Sequence, residues 1–314
     1  MRVAHVTYSY KPIRGGADAY LADLYGVLKA AGHDQTVFQR QAGVTDPEVA
    51  QLPTPARLSP GRQFWYLSVV LLAYRRSLYK FDRVIVHYPN YALPLWGHPG
   101  LVGLSHGVTW DCAPNSRASR LKRSIARRAF HQCSRFVAND SFFLREVGLP
   151  AQPGQRGELA PGRWLIPNAV DLSRFSPDGG SGKEPVVLLP RNLYRNRGLH
   201  LGMEAFSQLP TRFSDYSLHI VGGDEDAGYR QELEALAAKL SLGNRVVFRG
   251  PTAHEVMPRE YRRASLTLIP SLCGEGTSLS ALESMACGTP VVATRVGGLP
   301  DLPCALAEPE SGAL

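Results

Sequence analysis

Two glutamates, Glu275 and Glu283, stand near the end of the chain with seven residues between them, in the stretch GEGTSLSALESMACGTPVVATRVGG. The small turn Gly276-Thr277-Ser278 separates them, and a short helical apolar pattern follows, closed by Gly288 and Pro290. A loop that follows a strand and opens a helix turns its amides and the positive end of the helix dipole outward, which suits an anion. A carboxylate in that place works as a hydrogen-bond acceptor, and sugar or ribose hydroxyls are the obvious donors. Ser280-Ala281-Leu282-Glu283 also matches a capping box, which would make Glu283 a helix cap and leave Glu275 unexplained. Elsewhere, LLPRNLYRNRGLH puts Arg191 at a strand end and Arg197 six residues on. Two guanidiniums there suit a diphosphate, although a solvated basic loop would read the same way. Gly15-Gly16, just ahead of a helix, offers amides to a phosphate or forms a plain tight turn. His106 closes a strand, where a packed histidine is the ordinary finding.

Strand-like and helix-like segments alternate from end to end, which predicts parallel α/β architecture. RVAHVTYSY, DQTVFQR, FDRVIVHYP, GLVGLSHG and RFVAND read as strands of a first series. A second series opens at SGKEPVVLLP and continues through YSLHIVGG, NRVVFRG and LTLIPS. The spacing places a boundary near residues 168–180, giving domains over 1–168 and 169–314, both doubly wound. Ligands are then expected at the carboxyl ends of the strands, in the cleft between the halves. No G-x-G-x-x-G pattern occurs, so a nicotinamide enzyme is poorly supported.

A chain of 314 residues with 44% hydrophobic content is a globular protein large enough for two cores. Its five cysteines form no Cys-x-x-Cys pair, which reads as reduced intracellular thiols. The longest apolar run, FWYLSVVLLAY, is too short for a membrane span and reads as a buried or interfacial helix. The net charge of +8 is lopsided: residues 1–168 hold 21 Lys and Arg against 10 Asp and Glu, residues 169–314 hold 14 against 17. The basic half points to a polyanionic surface, lipid or nucleic acid. SRASRLKRSIARRAFHQCSR concentrates that charge without an acid, and Arg120, Arg123, Arg127 and Arg128 are the candidate membrane-docking residues. Nothing resembles a nucleic-acid reading motif, so nucleic acid is not expected as a partner.

The ordered set Gly15-Gly16, SHG (105–107), IPNAVDLSRFSP, PRNLYRNRG, IVGG, VVFRG and EGTSLSALESMACGTPVVATRVGG resembles the retaining glycosyltransferases of family 4 (group 1), over nearly the whole chain. The resemblance implies the GT-B fold: two Rossmann-like domains facing a cleft, with the C-terminal end apparently short. It implies a hexosyltransferase-type activity (EC 2.4) that moves a sugar from a nucleotide diphosphate sugar, UDP first among the bases, to a glycan or lipid-linked saccharide, without metal or other cofactor. Glu275 would contact donor-sugar hydroxyls and Glu283 the ribose. Thr277, Ser278 and Leu279, with Gly276, would hold the diphosphate by their amides. Arg191 and Arg197 match the family's Arg and Lys phosphate pair, and Pro190 takes the place of a usual glycine. His106 matches a histidine near the reacting sugar, Gly16 the glycine loop, and the backbone from Arg249 to Thr252 the segment that reads the base. The expected setting is polysaccharide or cell-envelope synthesis, in the cytoplasm or peripherally on the inner face of the membrane. A non-catalytic nucleotide-sugar-binding or scaffold protein of the same fold is the alternative, and donor turnover separates the two.

Overall fold

The structure is a computed structural model and describes residues 1–13, 15–179 and 182–302. The chain divides into two compact units, Met1–Pro167 and Asn168–Leu314.

The first unit runs β1 (Arg2–Val6), α1 (Gly16–Ala30), β2 (Asp34–Arg40), β3 (Val49–Leu52), α2 (Pro60–Leu78), β4 (Arg83–Val86), β5 (Leu101–Ser105), α3 (Arg117–Gln132), β6 (Arg135–Ala138), α4 (Ser141–Val147), β7 (Gly157–Ala160) and β8 (Arg163–Leu165). Its eight strands lie in the order β3-β2-β1-β4-β5-β6-β8-β7. All pairs are parallel except β7 with β8. That edge hairpin departs from the all-parallel expectation. It forms around Gly162, which sits at φ +69° where an added Cβ would lie 2.8 Å from Ser134 O. The strand order reverses between β1 and β4, so the loops after these strands open the crevice where doubly wound sheets bind ligands. The core gathers Ala4, Val6, Val84 and Val86 of the central strands against Leu67, Leu71, Phe130 and Phe143 of the helices.

The apolar run around residues 64–74 is the helix α2, which buries Leu67, Val70, Leu71 and Leu78 and leaves Trp65, Val69 and Leu72 exposed. No helix among the described residues is long and apolar enough to cross a membrane.

The second unit runs β9 (Glu184–Pro190), α5 (Leu199–Ser207), β10 (Ser217–Val221), α6 (Tyr229–Lys239), β11 (Val246–Gly250), α7 (Met257–Arg263), β12 (Ala264–Ile269), α8 (Leu279–Ala286) and β13 (Val291–Ala293). The strand order is β11-β10-β9-β12-β13, all parallel, with the reversal between β9 and β12. Alternation along β9 divides the core between the two faces of the sheet. Val187 and Leu189 join Leu199, Met203 and Phe206, whereas Val186 and Leu188 join Phe175, Met257 and Tyr261. A strand buried on both faces reads as a continuous apolar run, as VVLL (186–189) does.

Candidate functional site

In the second unit the candidate residues follow the two strands at the reversal. Arg191 comes directly after β9, and Glu275 lies in the loop between β12 and α8. Arg191 Nη2 stands 3.2 Å from Glu275 Oε2 and donates to Ser278 Oγ at 2.9 Å. Arg197 Nη1 pairs with the same Glu275 oxygen and donates to Gly274 O at 3.2 Å. Ser271 Oγ gives Oε2 a third donor at 2.7 Å. The sequence separates these four residues by up to 84 positions, and the fold joins them at one carboxylate oxygen. Burial pushes the Glu275 carboxyl up, but Arg191, Arg197 and the Ser271 hydroxyl outweigh it and hold the group below its usual range. Burial presses the Arg191 guanidinium below its ordinary value, and Glu275 opposes that. Two guanidiniums against one carboxylate leave a positive charge over. It stands beside the first N–H groups of α8, which have no intrahelical partner.

Backbone closeness fixes this arrangement at two glycines. A Cβ on Gly222 would fall 2.2 Å from Arg191 O, and one on Gly297 would fall 2.1 Å from Glu275 O, at φ +56°. The IVGG and RVGG stretches are therefore cradles for the two charged residues. Asn168 holds the intervening turn by donating from Nδ2 to Thr277 O.

Glu283 is not a cap. Helix α8 starts two residues earlier than the capping box requires, and Ser278 is its N-cap, accepting from Ala281 N. Glu283 sits on the second turn, where a side chain no longer reaches the free amides. Its carboxylate is buried and held at both ends: Tyr261 Oη donates to Oε2 at 2.8 Å, and His254 Nε2 lies 2.7 Å from Oε1. Residues 249–252, at and just past the end of β11, lead directly to His254. The Arg249 side chain itself is exposed and lies 3.9 Å from Glu260. Sequence reasoning missed Ser271, Tyr261 and His254. They are ordinary residues whose partners are fixed only by the packing of α7 and α8 on the sheet.

In the first unit Gly15 caps α1 with extended backbone, and its carbonyl accepts from Asp18 N and Ala19 N at 3.1 Å. An added Cβ on Gly15 would meet nothing within 4 Å, so close packing does not demand this glycine. His106 follows β5, and the ring of Tyr20 from α1 packs edge-on against it at 5.0 Å. The structure thus brings the glycine-led helix and His106 together. Burial lowers the His106 imidazole to about 4, so it is neutral at pH 7 and supplies no cation to a phosphate. The α3 arginines are less free than their sequence implies. Arg123 Nε pairs with Glu146 Oε2 at 2.8 Å, while Arg120, Arg127 and Arg128 stay exposed, Arg127 Nε donating to the backbone Glu146 O at 3.2 Å.

Comparison with known proteins gives the lineage. The model of the Glycosyltransferase Family 4 domain matches residues 14–154, and that of the Glycosyl transferases group 1 domain matches residues 174–307. A D-inositol 3-phosphate glycosyltransferase of Acidothermus cellulolyticus is 38% identical, covering 100% of this chain and 79% of that protein. The chain belongs to the family 4, group 1 glycosyltransferases. A GDP-mannose-dependent alpha-(1-6)-phosphatidylinositol monomannoside mannosyltransferase of Mycolicibacterium smegmatis is 27% identical over 94% of this chain and 81% of its own length. Among solved structures, the sucrose-phosphate synthase of Thermosynechococcus elongatus matches with a TM-score of 0.77 at 22% identity, covering 95% of this chain and 82% of that one. Anabaena HepE in complex with UDP and glucose matches with a TM-score of 0.71 at 20% identity, covering 95% and 82%. These neighbours establish the GT-B fold, with its two Rossmann-like domains. As a member of the family the protein is a glycosyltransferase.

Proposed function

We propose that the protein is a retaining, metal-independent glycosyltransferase. It moves a hexosyl group from a nucleotide diphosphate sugar to a hydroxyl of a glycan or lipid-linked saccharide of the cell envelope. One observation carries the reading: a buried glutamate and two arginines meet at the head of α8, one helical turn from a second buried glutamate. In this reading Arg191 and Arg197, with the amides of Thr277, Ser278 and Leu279, hold the diphosphate. Glu275 accepts from the sugar hydroxyls, Glu283 accepts from the ribose, residues Arg249 to Thr252 face the base, and Gly15, Gly16 and His106 attend the donor. The bond from the anomeric carbon to the phosphate oxygen breaks, and the diphosphate leaves with the electron pair. The acceptor oxygen bonds to the same face of the sugar, and its proton passes to the departing phosphate oxygen. The guanidiniums and amides stabilise the charge that develops there, so these groups need no cation beside them.

The test starts with thermal stabilisation by a panel of donors. UDP-sugars form the first arm. GDP-mannose forms the second, because the mannosyltransferase relative is named for that donor. Glu283→Gln is expected to weaken the intact donor and the free nucleotide alike. Glu275→Gln is expected to weaken mainly the intact donor, since a free nucleotide has no sugar to contact. Equal nucleotide affinity in wild type and both variants would remove the assignment.

Peripheral docking on an anionic leaflet belongs to the same proposal. A cation near such a surface gains about 1 kcal/mol, so a few suffice for reversible docking. The Glu146 carboxylate pairs with Arg123, which shifts the expected burden onto Arg120, Arg127 and Arg128. The protein should sediment with anionic but not neutral vesicles, and high salt should release it. Replacing Arg120, Arg123, Arg127 and Arg128 by Gln should abolish binding, with most of the loss already present in the Arg120/Arg127/Arg128 triple. Binding that ignores lipid charge or survives the four replacements would favour a soluble acceptor.

A further inference from the structure

Three histidines line up beneath the candidate sugar contact. His106 Nε2 lies 3.3 Å from His87 Nδ1, and His87 Nε2 lies 3.3 Å from His5 Nδ1. His5 Nε2 lies 2.9 Å from Gln35 Oε1, and Gln35 Nε2 donates to Tyr25 O at 2.9 Å. His5, His87 and Gln35 are buried. The strands explain the line. His5 on β1 lies opposite Ile85 of β4, and Ile85 lies opposite Val102 of β5. Extending that register sets each imidazole one strand across and two residues further on, which keeps all three on one face of the sheet.

The line has a direction, and its far end sets it. A backbone carbonyl only accepts, so Tyr25 O requires the amide nitrogen of Gln35 on its side. Flipping that amide would turn its oxygen onto another oxygen. Gln35 Oε1 therefore faces His5, and His5 Nε2 must carry the proton. A neutral imidazole has one donor and one acceptor nitrogen, so His5 Nδ1 accepts, and the donor is His87 Nε2–H. The same rule passes along: His87 Nδ1 accepts, and His106 Nε2–H donates. Neutrality throughout is consistent with burial, which lowers His5 to about 4 and His87 well below its ordinary value. His106 Nδ1 makes no hydrogen bond among the described residues.

We infer that Gln35, His5 and His87 form a directional ladder of positioning residues that locks His106 in its Nε2–H tautomer and presents Nδ1 as a bare acceptor to a hydroxyl of the donor sugar. The functional half rests on the reading of His106 as a donor-sugar contact; the ladder itself does not. A sugar that bears a hydroxyl toward Nδ1 is accepted, and the matching deoxy-sugar leaves that lone pair unpaired. The ladder residues touch no substrate and act only through the His106 ring.

Long-range proton–nitrogen correlation spectra of the 15N-labelled full-length protein test this at pH 7. All three imidazoles should show the single Nε2–H tautomer in the wild type. His87→Phe removes the acceptor of His106, so the His106 ring should lose its single tautomer. Turnover should then fall about five- to tenfold, the worth of one neutral hydrogen bond, at unchanged affinity for free nucleotide. His87→Gln keeps an acceptor toward His106 and a donor toward His5, and should recover both the tautomer and most of the turnover. A His106 that is Nδ1-protonated or mixed in the wild type overturns the ladder, and that measurement needs no variant to fold. A His106 tautomer unmoved in His87→Phe overturns it as well. A tautomer that shifts while turnover stays the same overturns the assignment of His106 to the donor sugar and leaves the ladder itself standing.

Discussion

Arg191→Ala should lower turnover by roughly a hundred- to a thousandfold, the range expected on removing one electrostatic donor from a developing anion. Donor affinity should fall much less, because the diphosphate gains charge as the glycosidic bond breaks. The geometry separates the two arginines. Arg191 is buried, and its Nη2 serves both Ser278 and Glu275. Arg197 is half-buried, and a single nitrogen, Nη1, makes both of its bonds, to Gly274 O and to Glu275. One ammonium can replace one nitrogen, so Arg197→Lys should keep turnover within a few-fold of wild type. Arg191→Ala leaves Glu275 its bonds from Arg197 and Ser271, so the carboxylate is not stranded and the variant should fold. Steady-state kinetics with the best donor of the panel, beside thermal midpoints, separate rate from stability. A severe loss from Arg197→Lys with a mild one from Arg191→Ala would reverse the roles assigned to the pair.

Why these residues were legible, and others not, follows from how the sheets are built. Parallel strands buried on both faces write themselves as apolar runs, and the residues just past them, Arg191 and Glu275, fall at the switch point by topology alone. The Glu275–Glu283 spacing survives in the sequence because both lie on one loop-helix segment. The capping box misled because its local pattern fits equally well two residues late. The winning cap, Ser278, is also bonded to Arg191, and that contact spans 87 positions. The face of α3 looked free of acid because its acid comes from α4. The histidine ladder was invisible for a similar reason. His5 and His87 are 82 residues apart, and only the β1–β4 register joins them.

The same ladder should make the protein unusually sensitive to mild acid. His5 in the folded chain is lowered from 6.5 to about 4, His106 likewise to about 4, and His87 well below 6.5, first of all by burial. Between those values the unfolded chain binds more protons than the folded one, so stability rises with pH across the window and is lost as pH falls from 6.5 toward 4. His5 alone accounts for about 3 kcal/mol over that range, a large share of the 5–15 kcal/mol typical of a folded domain. Carboxylates act lower down. Glu275, held below its ordinary 4.5 by its arginines against the pull of burial, contributes stability that is complete above 4.5 and fades only beneath it. The loss between pH 6.5 and 4.5 is therefore a histidine signal. Denaturant unfolding of the full chain, followed from pH 7 to 4.5, should show a steady decline. His87→Phe should flatten it, because the ring that burial and its two histidine neighbours hold furthest below its ordinary value no longer titrates. A wild-type stability that stays level down to pH 4.5, or an equal slope in His87→Phe, would mean that the three rings are not held neutral by their burial.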